Sequence, residues 1–395
     1  MKTENNGLNF TGANIYAGID VHLKSWKVTI LAEDMEHKTF VQPPDAAILG
    51  KYLQKNFPQG KYFSAYEAGF CGYSVHRELV DKGIQNIVVH AADVPTTDKE
   101  QRQKEDKRDS RKIARSLRNG DLTALYIPNA DTLEDRSLLR TRAMLVKDTR
   151  RYQQRIKHFL YQYGIKYPEL FQDAAKHWSK RFIQWIENIR METESGQQSL
   201  TILLEQYMQL RKQVLAVTRQ IRTLSQTEVY KENVQLMVSI CGIGTLTAMK
   251  FLTELETIKR FPTLDQLCSY IGLIPSTSSS GEKDRIGNIT PRGHHFLREA
   301  IIESSWIAVR KDPALMQAFL LLTKRMNKNR AIIRIAKKLL NRIVYVLKNK
   351  KPYIAGVVNG KQEGNALSVF LPVEQPDTKK EGDRLSSPST VVTTV

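Results

Sequence analysis

The stretch IYAGIDVH, residues 15–22, reads as a β-strand whose apolar run ends in an acid, Asp20. A carboxylate at the end of an apolar strand is costly unless it is paired or holds a cation. The following stretch, SWKVTILAED (25–34), reads as a second strand joined to the first by a tight turn. Working outward, AAILGKYLQKNF (46–57) has helical periodicity and KYFSAYEA (61–68) reads as a strand. YSVHRELVDKG (73–83) reads as a helix stopped by Gly83. IQNIVVHA (84–91) is a further buried strand and LTALYIP (122–128) a short one. Strands alternating with helices behind an opening hairpin predict an α/β domain with a mixed sheet over residues 15–130.

From residue 131 the pattern changes to long basic helices. Leu203, Tyr207, Leu210, Val214, Val217, Ile221 and Leu224 alternate four-and-three spacing without a break. That is a heptad seam, expected in a helical hairpin or coiled coil, and it predicts a helical arm or dimer element over 131–234. A third, mainly helical region is expected over 235–352. It opens on VSICGIGTLTAMKFLTEL and closes on the basic amphipathic helix RAIIRIAKKLLNRIVYVLKNKK. Residues 1–14 read as a flexible tail and the polar residues 353–395 as a disordered one.

The chain carries 60 Lys+Arg against 41 Asp+Glu, a net charge of +19 in 395 residues. A basic excess of this size points to a polyanion, because each phosphate neutralised by Lys or Arg releases counterions. No apolar run approaches membrane-spanning length, and MKTENNGLNF has no signal-peptide core. Cys71, Cys241 and Cys268 are scattered, so neither a zinc site nor a disulfide framework is indicated. The expected compartment is the cytoplasm.

Three constellations carry chemistry. Asp20 and Glu67 each stand at the end of an apolar strand, and Asp106 and Asp109 are spaced i, i+3 on one face of a helix. Taken singly each has a bland reading as a cap, turn or solvated residue. Their order, one acid on the first strand, one on a later strand and two on a following helix, is the layout of an RNase H-like nuclease. Converging carboxylates would repel one another, and Mg2+ or Mn2+ would relieve that. The second constellation is CGIGTLTAMKFL (241–252), a Gly-hydrophobic-Gly turn opening a helix. Gly242 and Gly244 would let backbone N–H groups approach a phosphate in a helix-hairpin-helix element, and a tight interhelical turn is the plain alternative. The third is YIGLIPSTSSSGEKDRIGNITPRGHHFLR (270–298), a Ser/Thr loop followed by Lys283, Arg285, Arg292 and Arg298, which are placed to hold a phosphate. His294 and His295 read as exposed residues at a helix start, with proton transfer as the sharper alternative.

With these residues assembled, the chain resembles the RuvC-like DEDD transposases of bridge-RNA-guided insertion sequences, a family that includes the Piv-type DNA invertases. The resemblance runs from Tyr16 to Lys350. It is carried by AGIDVH, by AYEAG around Glu67, by Lys104-Glu105-Asp106-Lys107-Arg108-Asp109-Ser110, by GIG at 242–244, by RFPTLDQLCSYIGLIP (260–275), and by Ser-Ser-Gly followed by ITPRG. It implies a RuvC-like domain, a coiled-coil arm and a C-terminal transposase domain. It further implies divalent metal at Asp20, Glu67, Asp106 and Asp109, and Ser280, directly before Gly281, as nucleophile, with Ser279 as the alternative. DNA, a structured guide RNA and further copies of the chain, as a dimer or tetramer, are the partners it implies. Departures are Glu282 and Cys241, where the family commonly has Gly and Pro, and Pro291, where a basic residue is frequent. Three readings follow: a serine-plus-metal recombinase, a metal-only nuclease or junction resolvase, and a non-catalytic nucleic-acid-binding protein.

Overall fold

A computed structural model describes residues 10–94, 106–280 and 283–356. The chain divides into two compact units between Pro128 and Asn129.

The first unit is built on a five-stranded sheet. Its strands are β1 (Asn14–Val21), β2 (Trp26–Ala32), β3 (Met35–Gln42), β4 (Lys61–Glu67) and β5 (Gln85–Val89), in the order β3-β2-β1-β4-β5. β1 runs parallel to β4, β4 parallel to β5, and the two opening hairpins are antiparallel. The mixed sheet is as expected, with one strand more than read at its edge and one fewer at its end. MEHKTFVQ is a largely exposed edge strand, so it lacks the apolar signature of a buried one. LTALYIP is not a strand: it touches β5 through a single bridge, Val89 to Ala124.

Side-chain alternation splits β1 between two faces. Ile15, Ala17 and Ile19 are fully buried and join the core formed with α1 (Ala46–Asn56) and α2 (Ser74–Asp81). Tyr16, Gly18 and Asp20 lie on the opposite face, which α3 (Asp106–Asn119) covers. Gly18 makes that packing feasible, because a Cβ there would collide with the Ser110 carbonyl and the Ala114 backbone. Beside this contact the buried hydroxyl of Ser110 bonds that of Thr29 at 2.9 Å, and Thr29 bonds Thr39 at 2.9 Å. Gly18→Ala is expected to cost about 3 kcal/mol of stability, the upper end for overpacking against unyielding atoms. A denaturant midpoint equal to the parent's would refute that account of the glycine.

The second unit is mainly helical among its described residues. α4 (Ala130–Gln162) and α6 (Glu194–Leu224) form a long antiparallel hairpin, with α5 (Lys180–Glu187) near its tip. The heptad seam is laid against α4 of the same chain, so its first partner is intramolecular. Phe171, Phe182, Ile186, Leu200 and Tyr207 make a small separate core with the end of α4. The larger core gathers α7 (Lys231–Val238), α8 (Thr245–Leu255), α9 (Leu264–Ile271), α10 (His295–Lys311), α11 (Pro313–Thr323) and α12 (Lys328–Asn349). The Ser/Thr segment, expected as a loop, is a β-hairpin of β6 (Pro275–Ser280) and β7 (Lys283–Ile289).

Two tail boundaries also move. Phe10 packs edge-on against Phe57 at 4.9 Å, and the Gly12 N–H donates to the Gln59 carbonyl, so residues 10–14 belong to the first unit. Residues 1–9 lie outside the described residues. Tyr353 donates through its hydroxyl to buried Asp312 at 2.8 Å and through its N–H to Ser239 at 2.7 Å. It is therefore anchored to the second unit, and the rest of the expected tail, 357–395, lies outside the described residues. No helix among the described residues is long and apolar enough to cross a membrane.

Candidate active site

In the first unit, Asp20 and Glu67 stand at the same end of the sheet, near the ends of the parallel strands β1 and β4. The β1–β4 register pairs Gly18 with Ala65 and Ile19 with Tyr66, and one further step sets Asp20 beside Glu67. Partners in a parallel pair share a face, so both acids stand on the face that carries α3. The direction of α3 follows from its ion pairs. Arg118 pairs with Asp34 at the far end of β2, Arg111 pairs with Glu36 on β3, and Ser110 lies over Gly18. Toward its N-terminus the helix therefore advances to the Asp20 end of β1. Four helical residues back from Ser110 cover about 6 Å, and two strand residues forward from Gly18 cover about 6.6 Å. Asp109 and the first residue of α3, Asp106, are thus carried toward the end where Asp20 and Glu67 stand. The Asp106 side chain is outside the described ones. Among the described residues, no three His, Cys, Asp or Glu side chains close on one point tightly enough to form a metal cage. The set is all carboxylate oxygen, the donor chemistry of a hard divalent cation.

Two neighbours were not singled out from sequence. His22, two residues beyond Asp20, bonds its carboxylate at 3.0 Å through Nε2. Lys27 is the cross-strand partner of Asp20. The Asp-x-His spacing was the signal for the first, since i and i+2 share a strand face. Lys27 became visible only with the register.

In the second unit, Ser280 is the last residue of β6, paired with Lys283 across the turn, and Ser279 pairs with Asp284. The side chains of Ser279, Ser280, Lys283 and Arg285 are outside the described ones. Arg292 is exposed in the turn after β7. Arg298 turns inward: its guanidinium donates to the carbonyls of Thr290 at 2.7 Å and Gly272 at 3.2 Å, bracing the root of the hairpin.

The two glycines of GIG differ. α7 and α8 do form a helix-turn-helix around them. Gly242 has φ +92°, and a Cβ there would meet the Ser304 carbonyl and Ala308 of α10. Helix packing alone accounts for its bareness. Gly244 is exposed, with open space at its Cα, and it caps α8 without a side-chain hydrogen bond. Of the two, it is the one a phosphate can approach.

His294 is not the exposed helix-start residue expected; its side chain is 17% exposed. Its Nδ1 accepts from the Leu297 N–H, capping α10, and its Nε2 lies 3.2 Å from Glu254 Oε2. Glu254 is 1% exposed and receives a two-pronged bond from Arg140 at 2.8 and 2.9 Å, with Arg136 at 3.2 Å. Burial alone would raise the Glu254 carboxyl, but the hydrogen bonds from His294 and Arg140 and the Arg140 charge outweigh it and hold the group at about 2. His295 faces solvent and contacts Arg298. The sequence signal for this cluster was an acid set among apolar residues in KFLTEL, which a buried helix tolerates only if paired.

With the geometry established, comparisons with known proteins converge. The profile described as the Transposase IS116/IS110/IS902 family matches residues 234–320. A second transposase profile, for the DEDD domain of the IS110 type, matches residues 17–165. The chain is 28% identical over 269 residues to the putative transposase y4qE of Sinorhizobium fredii, covering 67% of this chain and 63% of that protein. It is 26% identical over 254 residues to the transposase for insertion sequence element IS1533 of Leptospira borgpetersenii, covering 62% and 70%. A longer alignment, 24% identical over 364 residues, joins it to the putative transposase y4rJ of Sinorhizobium fredii and covers 82% and 90%.

Proposed function

Because this chain belongs to the IS116/IS110/IS902 transposase family, with matching profiles over 17–165 and 234–320, we propose that it cuts and rejoins DNA by combining a carboxylate-held cation with a serine nucleophile. The observation that carries this reading is the adjacency of Asp20 and Glu67 on parallel strand ends, with the acid-bearing turn of α3 directed to the same end. Asp20, Glu67, Asp106 and Asp109 would hold Mg2+ or Mn2+. Bound there, the cation supplies charge stabilisation to a phosphoryl oxygen.

Ser280 would attack a DNA phosphodiester. Its Oγ–P bond forms as the phosphorus–oxygen bond to one strand breaks, and that strand leaves as a hydroxyl after proton transfer. Attack of a second strand's hydroxyl on the phosphoserine forms the new phosphodiester bond as the Oγ–P bond breaks, which completes the exchange and returns a proton to the freed serine hydroxyl. Lys283, Arg285 and Arg292 are the cations assigned to the phosphate, with the Gly244 amide and the α8 N-terminus as a second phosphate contact. Arg298 and Gly242 support these groups from behind. A structured guide RNA would select the DNA, and pairing of two or more copies would bring a metal centre to a serine. The cytoplasm, at the nucleoid, is the compartment this reading requires.

The test is direct. Purified protein should cleave DNA bearing the element's ends in Mg2+, stop in EDTA, and resume when Mg2+ is restored. RNA recovered with the protein should be one discrete structured species encoded beside its gene. Undiminished cleavage in EDTA contradicts the metal role, and a heterogeneous RNA pool contradicts the guide.

A further inference from the structure

The strongest unassigned feature is the buried ionic cluster of Arg136, Arg140, Glu254 and His294, because of what it touches. A carboxylate 1% exposed costs several kcal/mol unless cations meet it. Here three elements must come together to satisfy it: α4 through the arginines, α8 through Glu254, and the start of α10 through His294. His294 is also where the chain leaves the serine hairpin.

The root of that hairpin is narrow and closely held. β6 departs just after α9, which ends at Gly272, and β7 returns to Thr290, whose N–H bonds the Ile274 carbonyl at 3.0 Å. Gly272 and Gly293 pack bare Cα against bare Cα, so neither strand leg can be padded by a side chain. The His294 N–H then bonds the Tyr270 carbonyl at 2.9 Å, and its ring lies against the Tyr270 ring at 5.4 Å. The His294 ring thus ties three things at once: the α10 amide at Leu297, the α9 aromatic, and the anchored carboxylate. With Nδ1 accepting from Leu297, the Nε2–H is the one directed at Glu254. One imidazole cannot turn to suit the hairpin without losing either the cap or the carboxylate.

We propose that Glu254, acting through His294, is a positioning residue for the serine hairpin, orienting its root so that the nucleophile is presented at a fixed angle. This rests on the assignment of the nucleophile to the hairpin. The residues do not touch DNA; they act through backbone placement. Misplacing a reacting group by about 1 Å can lower a rate by roughly 100-fold without altering binding.

The two functions of His294 separate by substitution. Asn is a good helix cap but too short to reach Glu254, whereas Gln places an amide nitrogen near the position of Nε2 and gives up the cap. In His294→Asn, covalent protein–DNA adduct formation is expected to slow by roughly 100-fold with DNA affinity unchanged. Backbone hydrogen exchange is expected to quicken in 275–289 and stay slow in α7, α8 and α12. His294→Gln is expected to recover most of the rate, and Glu254→Gln to behave as His294→Asn does. Unchanged exchange in the hairpin overturns the proposal. So does exchange that quickens throughout the helical core, which would assign the cluster to global stability. A parent protein that forms no adduct removes the serine assignment instead, and the exchange measurement still decides whether the cluster anchors the hairpin.

Discussion

Ser280→Ala is expected to bind DNA as the parent does and to form no covalent protein–DNA adduct, with strand transfer reduced by roughly 1,000-fold or more, as for loss of other enzyme nucleophiles. The substitution removes one oxygen at the end of β6, so the backbone pairing of Ser280 with Lys283 has no reason to change. Denaturing electrophoresis of protein trapped on a nicked DNA substrate reads the adduct directly. Ser279→Ala serves as the control and should retain it. If Ser280→Ala still becomes linked to DNA and Ser279→Ala does not, the nucleophile moves one residue. If the parent itself never becomes linked while cutting DNA, the metal-only nuclease is the better reading.

The second large effect concerns Asp20. Asp20→Asn keeps shape and removes the charge, so Mg2+-dependent cleavage should fall on the order of 1,000-fold, as expected when several kcal/mol of charge stabilisation disappears. Stability should be little affected. The Asp20 side chain is 20% exposed at a strand end, and the packing of α3 is set two residues earlier by Gly18. Titration calorimetry with Mg2+ or Mn2+ gives an independent readout, in which the parent's binding heat should be lost. An Asn variant that cleaves at the parent's rate in Mg2+ would remove Asp20 from the site.

Much of the architecture was legible where one element's own periodicity records its surroundings. The apolar run in IYAGIDVH, closed by Asp20, announced a strand, and the seam from Leu203 to Leu224 announced a helix laid along another. The edge strand β3 escaped notice because exposed strands need no apolar stripe. The Ser/Thr run hid a strand for a related reason: what defines β6 is its ladder to β7, and no apolar pattern advertises it. LTALYIP erred the other way, with a strand-like composition and only one bridge to β5.

The order of the acids, their spacing and the basic excess were determined by the sequence alone, since these are properties of position and composition. Which residues act together was decided only by the tertiary structure. Glu254 meets Arg140, 114 residues away, and His294, 40 residues away, separations that leave no trace in local periodicity. The same holds for residues of identical type. Gly242 is bare because α10 presses on it, while Gly244 is open to a ligand. Arg292 is exposed, while Arg298 turns one guanidinium nitrogen to two backbone carbonyls and another to His295. A side chain's letter fixes what it can bond; only the approach of distant segments decides what it does bond.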